Sequence, residues 1–492
     1  MNHNANERPQ RPNVIVILTD DQGVWASGCY GNSEIRTPHI DRLAATGVRF
    51  EDFFCTSPVC SPARATLLTG AIPSRHGVHD WIRGGNVPPD AAVYLENQIA
   101  YTDVMVDHGY TCGISGKWHL GASQLAQHGF SHWFVHQMGG GPYNDAPMVR
   151  NGELATEPGY VTNVITDDAL AFIDAQAGAR DRPGERPFYL SVHYTAPHSP
   201  WTGHPQAIVD SYDDCPFASC PQEARHPWAV PFTDEHLGNR ESLKGYFAAV
   251  TAMDADVGRI LDRLEALGLR DDTLVVFTSD NGYSCGSHGF WGKGNGTFPL
   301  NMLENSVRVP LIFSHPGGLP QGRVVDALAS GYDFAPTLLD YLGLPALEGG
   351  QPGGSLRPLL TGESEEGHES IVVYAEYGPT RMLRTRDWKY VHRYPYGPHE
   401  LYNLRDDPDE RENRADERQQ AGRIRELRQE LAAWFARYVD PTRDGVALPV
   451  TGYGQAAPIM PRSPGESAFY PGVGNLEVRS RQWVEVKDDA AQ

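Results

Sequence analysis

The chain has 492 residues, enough for a large catalytic domain beside a smaller one, and at 40% hydrophobic and 10% aromatic content it is not a disordered polymer. Acidic residues outnumber basic ones by 62 to 41, a formal charge of -21 without a basic run, which argues against a nucleic-acid partner. No stretch approaches the roughly 18 apolar residues of a membrane span, and the polar opening residues lack a signal-peptide pattern, so the expectation is a cytoplasmic protein with no membrane contact.

Residues 1–12 read as a disordered or surface segment. The apolar run 13–18 is the first predicted strand. Further β-branched runs at 111–114, 188–193 and 273–278 alternate with helical patterns at 38–46, 161–177 and 243–267, where apolar positions recur every three or four residues. This alternation predicts an α/β fold over residues 13–365, a large, mostly parallel mixed sheet flanked by helices. From about residue 370 the pattern changes to strand-like pieces at 371–376, 382–386 and 388–393, then a charged helix at 416–438. A smaller C-terminal α+β domain carrying an antiparallel sheet is expected over residues 366–440. Residues 441–492 are rich in Pro and Gly without periodicity; they are expected to wrap the surface or a neighbouring subunit, which makes a homo-oligomer an expectation. The seven cysteines are odd in number and unevenly spaced, so they read as thiols of a reducing compartment, and Cys215 and Cys220 are too far apart for a zinc knuckle.

The residues that carry chemistry stand just past the carboxyl ends of two strands. The run ending at Leu18 leads into Thr19-Asp20-Asp21, and the run ending at Phe277 leads into Thr278-Ser279-Asp280-Asn281-Gly282. Ligands of open α/β sheets bind at the carboxyl ends of strands, so both acidic tips would converge on one crevice. Singly, such residues are ordinary turn formers. Repeated, Asp20, Asp21, Asp280 and Asn281 form an all-oxygen set suited to Ca²⁺ or Mg²⁺. In Cys60-Ser61-Pro62-Ala63-Arg64-Ala65-Thr66-Leu67-Leu68-Thr69-Gly70, proline sits in a first helical turn and glycine just past the end, which places Cys60 at the helix mouth. The free N–H groups and dipole there favour an anion, with Arg64 one turn inward. Net negative charge does not forbid an anionic substrate, because charges beyond about 8 Å are screened at physiological salt and local cations decide.

These residues resemble a known family, the type I sulfatases of the alkaline phosphatase superfamily. The segment from Cys60 to Gly70 is similar to its signature, in which the cysteine is oxidised to formylglycine by a formylglycine-generating enzyme. Gly116-Lys117-Trp118-His119-Leu120-Gly121, Ala196-Pro197-His198 and Gly292-Lys293-Gly294 resemble its further motifs, in the family's order, and Glu400-Leu401-Tyr402-Asn403-Leu404 with Asp407-Pro408 resembles its smaller domain. One departure is Glu304-Asn305-Ser306, where many members carry two glycines after the glutamate. The resemblance implies a sulfate monoester as substrate and Ca²⁺, with Mg²⁺ as the other choice, held by Asp20, Asp21, Asp280, Asn281 and residue 60. It also implies catalytic roles for Cys60, Arg64, Lys117, His119, His198 and Lys293. Hydrated formylglycine would attack sulfur, Lys117, Lys293 and Arg64 would hold the sulfuryl oxygens, and His198 would protonate the leaving alcohol. His119 would then take a proton from the second hydroxyl, so that sulfate leaves by elimination.

For the substrate the residues say less. Asp80, Trp81 and Arg83 come after the nucleophile helix, and Trp201 and His204 after His198; aromatic faces beside polar groups suit a sugar, and a packed loop is the equal alternative. A carbohydrate sulfate is the first expectation for the substrate, with aryl and small alkyl sulfates as the other choices. Two rivals stand: a phosphonate or phosphate monoester hydrolase of the same superfamily, and a non-catalytic anion-binding homologue in which Cys60 stays unmodified.

Overall fold

The structure, a computed structural model, describes residues 11–178, 186–375, 379–459 and 467–470. The expectations for residues 1–10, for Glu376 at the end of a predicted strand and for the tail at 460–466 and 471–492 lie outside the described residues.

Ten strands form the main sheet: β1 (Asn13–Thr19), β2 (Val48–Phe50), β3 (Thr111–Lys117), β4 (Phe130–His136), β5 (Asn144–Arg150), β6 (Glu153–Tyr160), β7 (Phe188–His193), β8 (Thr273–Ser279), β9 (Leu311–Ser314) and β10 (Arg323–Val325). Their spatial order is β10-β2-β9-β8-β1-β7-β3-β4-β5-β6. The five central strands β8, β1, β7, β3 and β4 run parallel, and antiparallel pairs occur only outside them, so the sheet is the expected mixed, mostly parallel one. β3 reaches three residues beyond the predicted 111–114 and so carries Lys117 at its carboxyl end. β5 has no strand signature in sequence because its NDAPMVR contains proline and three polar residues, Asn144, Asp145 and Arg150. Those are tolerated near a sheet margin, where ladder bonds are lost at little cost.

Alternation along β1 divides the interior in two. Val14, Val16 and Leu18 enter one apolar core with helix α1 (Cys60–Thr69), whereas Ile15 and Ile17 enter the other with helices α2 (Val161–Ala177) and α3 (Arg240–Ala266). Helices on both faces bury a central strand fully, which is why β1 reads as one continuous apolar run. The long helix α3 starts at an Asn239 cap, whose side chain accepts from Glu241 N and Ser242 N.

Next in the chain is a four-stranded antiparallel sheet: β11 (Ser370–Tyr374), β12 (Thr380–Thr385), β13 (Trp388–Arg393) and β14 (Glu400–Asn403). Helix α4 (Ala421–Tyr438) covers one face through Leu427, Leu431 and Phe435, spaced at i, i+4 and i+8, against Val372, Leu383, Tyr390 and Leu401. The opposite face, with Ile371, Val373, Met382 and Val391, is part of the same core as β1. A buried ion cluster bolts the two sheets together: Lys389 Nζ lies 2.7 Å from Glu304 Oε1, 2.7 Å from Glu410 Oε1 and 2.9 Å from Met302 O. Glu304, which immediately precedes the departure at Asn305-Ser306, begins a short helix, Glu304–Val307, and supplies the larger domain's carboxylate to that cluster. The described tail packs on its own chain, with Gln455 paired to residues 81–83 on one side and to Phe469 on the other.

Candidate active site

β1 and β8 are parallel neighbours in register from Asn13↔Thr273 to Thr19↔Ser279, so the two acidic tips emerge side by side. Asp280 N donates to Thr19 O at 3.2 Å and Asp21 N to Asp280 Oδ1 at 3.3 Å. The chain turns sharply enough there to put Asp21 at φ 66, left-handed backbone that costs a non-glycine residue about 1–3 kcal/mol and persists only where surroundings enforce it. Ser279 Oγ accepts from Gln22 N, and Tyr246 Oη donates to Asp21 O, which together hold the turn.

Helix α1 points its first residue, Cys60, at this turn. Its cap residue Val59 offers no side-chain bond, so the first-turn amides are not satisfied by a capping side chain. Cys60 Sγ lies 3.2 Å from Asp20 Oδ1 and 2.8 Å from Lys293 Nζ. Lys117 Nζ meets Asp20 Oδ2 at 2.5 Å, and Lys293 Nζ meets Asp21 Oδ1 at 2.6 Å. Arg64 Nε donates to Asp280 Oδ2 at 2.8 Å and its Nη1 to Lys117 O at 3.1 Å, while Nη2 is buried without a partner among the described residues. Asn281 Nδ2 donates to Asp21 Oδ1 at 2.7 Å, and His198 Nε2 stands 3.8 Å from Asp21 Oδ2. Oxygens of Asp20, Asp21 and Asp280 and the Cys60 sulfur all lie within 4.8 Å of one another.

Burial sets the electrostatics. It would raise the Asp20 carboxyl, but Lys117, His198, Arg64 and Lys293 hold it well below the usual carboxylate range. Asp280 is pushed up to about 6 by burial and by neighbouring Asp20. Burial lowers the Lys293 ammonium, yet Asp21, Cys60, Asp20 and Asp280 overcome that and raise it well above its ordinary value. Burial and Asp20 push the Cys60 thiol up to about 12. His119 is held well below its ordinary value by burial and by Lys117, hence neutral. Three crowded carboxylates form a hard oxygen donor set beside the Cys60 sulfur, and that crowding is what a divalent cation would relieve; Asn281 turns its amide nitrogen to Asp21 and its Oδ1 to Lys293 Nζ at 3.5 Å.

Residues 12–344 match the family model described as Sulfatase, and residues 286–436 match that of the N-sulphoglucosamine sulphohydrolase C-terminal region. The chain belongs to the sulfatase family. It is a sulfuric ester hydrolase, cleaving sulfate monoesters. This sulfatase is 28% identical to the N-acetylglucosamine-6-O-sulfatase of Bacteroides thetaiotaomicron over 89% of its own length and 88% of the relative's. It is 30% identical to the choline-sulfatase of Rhizobium meliloti, over 82% and 83% of the two chains. A solved structure in complex with its substrate D-glucosamine-2-N,6-O-disulfate aligns at TM-score 0.74 and 26% identity, covering 87% of this chain and 98% of that one.

Not every residue expected in the sulfatase's pocket lies there. Trp201 is 5% exposed and packs among Phe232, His236, Tyr246, Tyr283 and Trp291, with its indole N–H on Pro197 O; it is a core residue behind the site, a correction to the pocket-wall reading. His204 is also set back, bonded to Tyr160 Oη and edge-on to Tyr143, whose hydroxyl donates to His198 O. Asp80 is wholly buried, its Oδ1 accepting from Trp81 N and its Oδ2 from Gly454 N, so it ties its loop to the C-terminal tail. Trp81 and Arg83 remain half-buried on that loop, and the Arg83 guanidinium lies 4.8 Å from the Tyr470 ring. Sequence reasoning missed the run Gly139-Gly140-Gly141, whereas His193, expected as a structural or pocket-wall residue, meets Lys117 O through Nδ1 at 3.1 Å. A Cβ on Gly139 would sit 2.2 Å from His119 Cε1, and one on Gly140 3.2 Å from His198 Nδ1. Three successive glycines were the available signal.

Proposed function

We propose that this sulfatase removes sulfate from a sulfated sugar through formylglycine at position 60, with a divalent cation, Ca²⁺ before Mg²⁺, held by Asp20, Asp21, Asp280 and Asn281. One observation carries the reading: the Cys60 side chain stands at an open helix mouth, inside a cluster of three buried carboxylates and within 2.8 Å of a lysine. The thiol sulfur stands in for the hydroxyls of the hydrated aldehyde. The sugar is supported by the N-acetylglucosamine-6-O-sulfatase relative, by the glucosamine disulfate complex, and by the half-buried Trp81 and Arg83 near the site.

When bound, the cation supplies Lewis acidity, lowering the pKa of a coordinated hydroxyl. The protein's own groups do the rest. Lys117 and Lys293 are neutralised by Asp20 and Asp21 until an anion enters, and Arg64 keeps Nη2 available for one of its oxygens. His198 is within reach of the same cluster and protonates the leaving alcohol. His119 takes the proton of the second hydroxyl at residue 60, so that the aldehyde re-forms as sulfate departs. Maturation requires a formylglycine-generating enzyme, and we propose a reducing cytoplasm, in keeping with seven free thiols.

The test is a peptide mass at residue 60 on protein produced with the maturation enzyme, combined with rates on paired sulfate and phosphate esters, sugar and choline sulfates included. Formylglycine with sulfate preference supports the reading. Phosphate preference would favour the phosphohydrolase alternative, and an active protein whose residue 60 is still a thiol would end the formylglycine mechanism.

A further inference from the structure

The backbone at residue 82 is gripped from both edges. In extended backbone, successive N–H and C=O groups point to opposite sides. On the outer side, Gln455 N donates to Trp81 O at 2.8 Å and Gln455 O accepts from Arg83 N at 3.1 Å. On the inner side, Ile82 N donates to Ser61 Oγ at 3.1 Å and Ile82 O meets His119 Nε2 at 3.0 Å. Ser61, the neighbour of Cys60, donates onward to His119 O at 3.0 Å. Gln455 is fully buried, and its amide ties the preceding loop: Oε1 accepts from His79 N at 3.0 Å, and Nε2 donates to Gly77 O at 3.0 Å and Ala457 O at 3.1 Å.

A carbonyl oxygen only accepts, so the His119 nitrogen facing Ile82 carries the hydrogen. The other nitrogen, Nδ1, keeps its lone pair, buried and without a partner among the described residues. We propose that Gln455 of the C-terminal tail is a positioning residue for sulfate release: its side-chain amide fixes residues 77–79, the run that leads into the backbone pairing at 81–83, so that the Ile82 carbonyl holds His119 as the Nε2–H tautomer with Nδ1 as proton acceptor. The inference rests on His119 being the base of the release step. In that step the proton of the second hydroxyl at residue 60 passes to Nδ1, the carbon–oxygen double bond forms, and the bond to the sulfate oxygen breaks with sulfate taking the electron pair.

Two full-length variants test it, Gln455→Ala and the shape-preserving Gln455→Met, which remove the amide bonds to Gly77, His79 and Ala457 and leave the backbone pairing with 81–83 in place. Ring-nitrogen NMR of ¹⁵N-histidine protein retaining the Cys60 thiol, with His119→Asn for assignment, reads the tautomer without turnover. Wild type should give a single Nε2–H form and the variants a mixture. In matured enzyme the variants should lose kcat by roughly ten- to a hundredfold, with KM falling in parallel, kcat/KM and the first-step rate held, and sulfated enzyme accumulating. An unchanged tautomer in both variants, or both chemical steps slowing together, overturns the proposal. A matured wild type that forms no sulfated enzyme overturns the reading beneath it, a failure visible without any variant.

Discussion

Lys293 Nζ stands 2.8 Å from Cys60 Sγ at the mouth of helix α1, so a buried cation faces whatever group residue 60 presents. A serine there would keep one hydroxyl in the same field but lack the second hydroxyl that elimination needs. Cys60→Ser should therefore release alcohol once per enzyme and stop, with a covalent sulfate visible in the intact mass. Continued turnover by that variant would contradict the mechanism.

Chelation should lower both activity and thermal stability, and Ca²⁺ should restore both. Asp20, Asp21 and Asp280 crowd within 4.8 Å, and a cation bound at about a thousandfold excess over its Kd stabilises the fold by about 4 kcal/mol. Melting curves with and without chelator measure it; a melting temperature indifferent to the metal would count against the site.

Gly139→Ala should cripple turnover while leaving the fold nearly intact. The added Cβ would lie 2.2 Å from His119 Cε1, a distance that forces the imidazole to move. We expect kcat to drop by about a hundredfold with a small change in melting temperature, since a misplacement of about 1 Å costs that much. Wild-type turnover would show that the ring has room.

Trp201→Ala should behave in the opposite way. The indole fills an aromatic core, and its loss should cost about 3–5 kcal/mol of stability. At a temperature where the variant stays folded, KM for a sulfated sugar should be unchanged; a rise in KM would return Trp201 to the pocket.

Stability should fall as the solution is acidified from pH 6.5 toward 4. Burial lowers His79, His136 and His204 to about 4 from an ordinary 6.5. The unfolded chain therefore takes up these protons first, and the stabilisation is complete above pH 6.5 and lost as pH drops through the folded-state values. Each neutral imidazole contributes on the order of 3 kcal/mol at neutral pH by this linkage. Denaturant titrations between pH 7.5 and 4.5 check it, and His204→Phe should flatten the slope.

How far the chain can be read without coordinates depends on the reach of the contacts. β1 and β8 announce themselves because each is a short apolar run, and the Cys60 helix because proline and glycine bracket it; these are local signals. That the two tips emerge side by side comes from parallel pairing across 260 residues of chain, which a strand-tip rule anticipates for α/β sheets generally. Trp201 and His204 mislead because adjacency to His198 in sequence says nothing about direction: the chain after His198 turns away from the crevice into aromatic core. Gln455 leaves no trace at all. Its partners, Trp81 and Arg83, are more than 370 positions earlier, and no periodicity marks an irregular tail that adds itself to a loop.

The ammonium of Lys389, shared between Glu304 and Glu410, binds the fate of the small sheet to that of the large one. Severing the polypeptide near residue 365 would not liberate a minimal enzyme: Glu304 would be stranded without its counter-charge, and Val14's own core would lose Ile371, Val373, Met382 and Val391. What resembles an appendage in linear order is flooring for the catalytic chamber, and the molecule should melt in one cooperative transition.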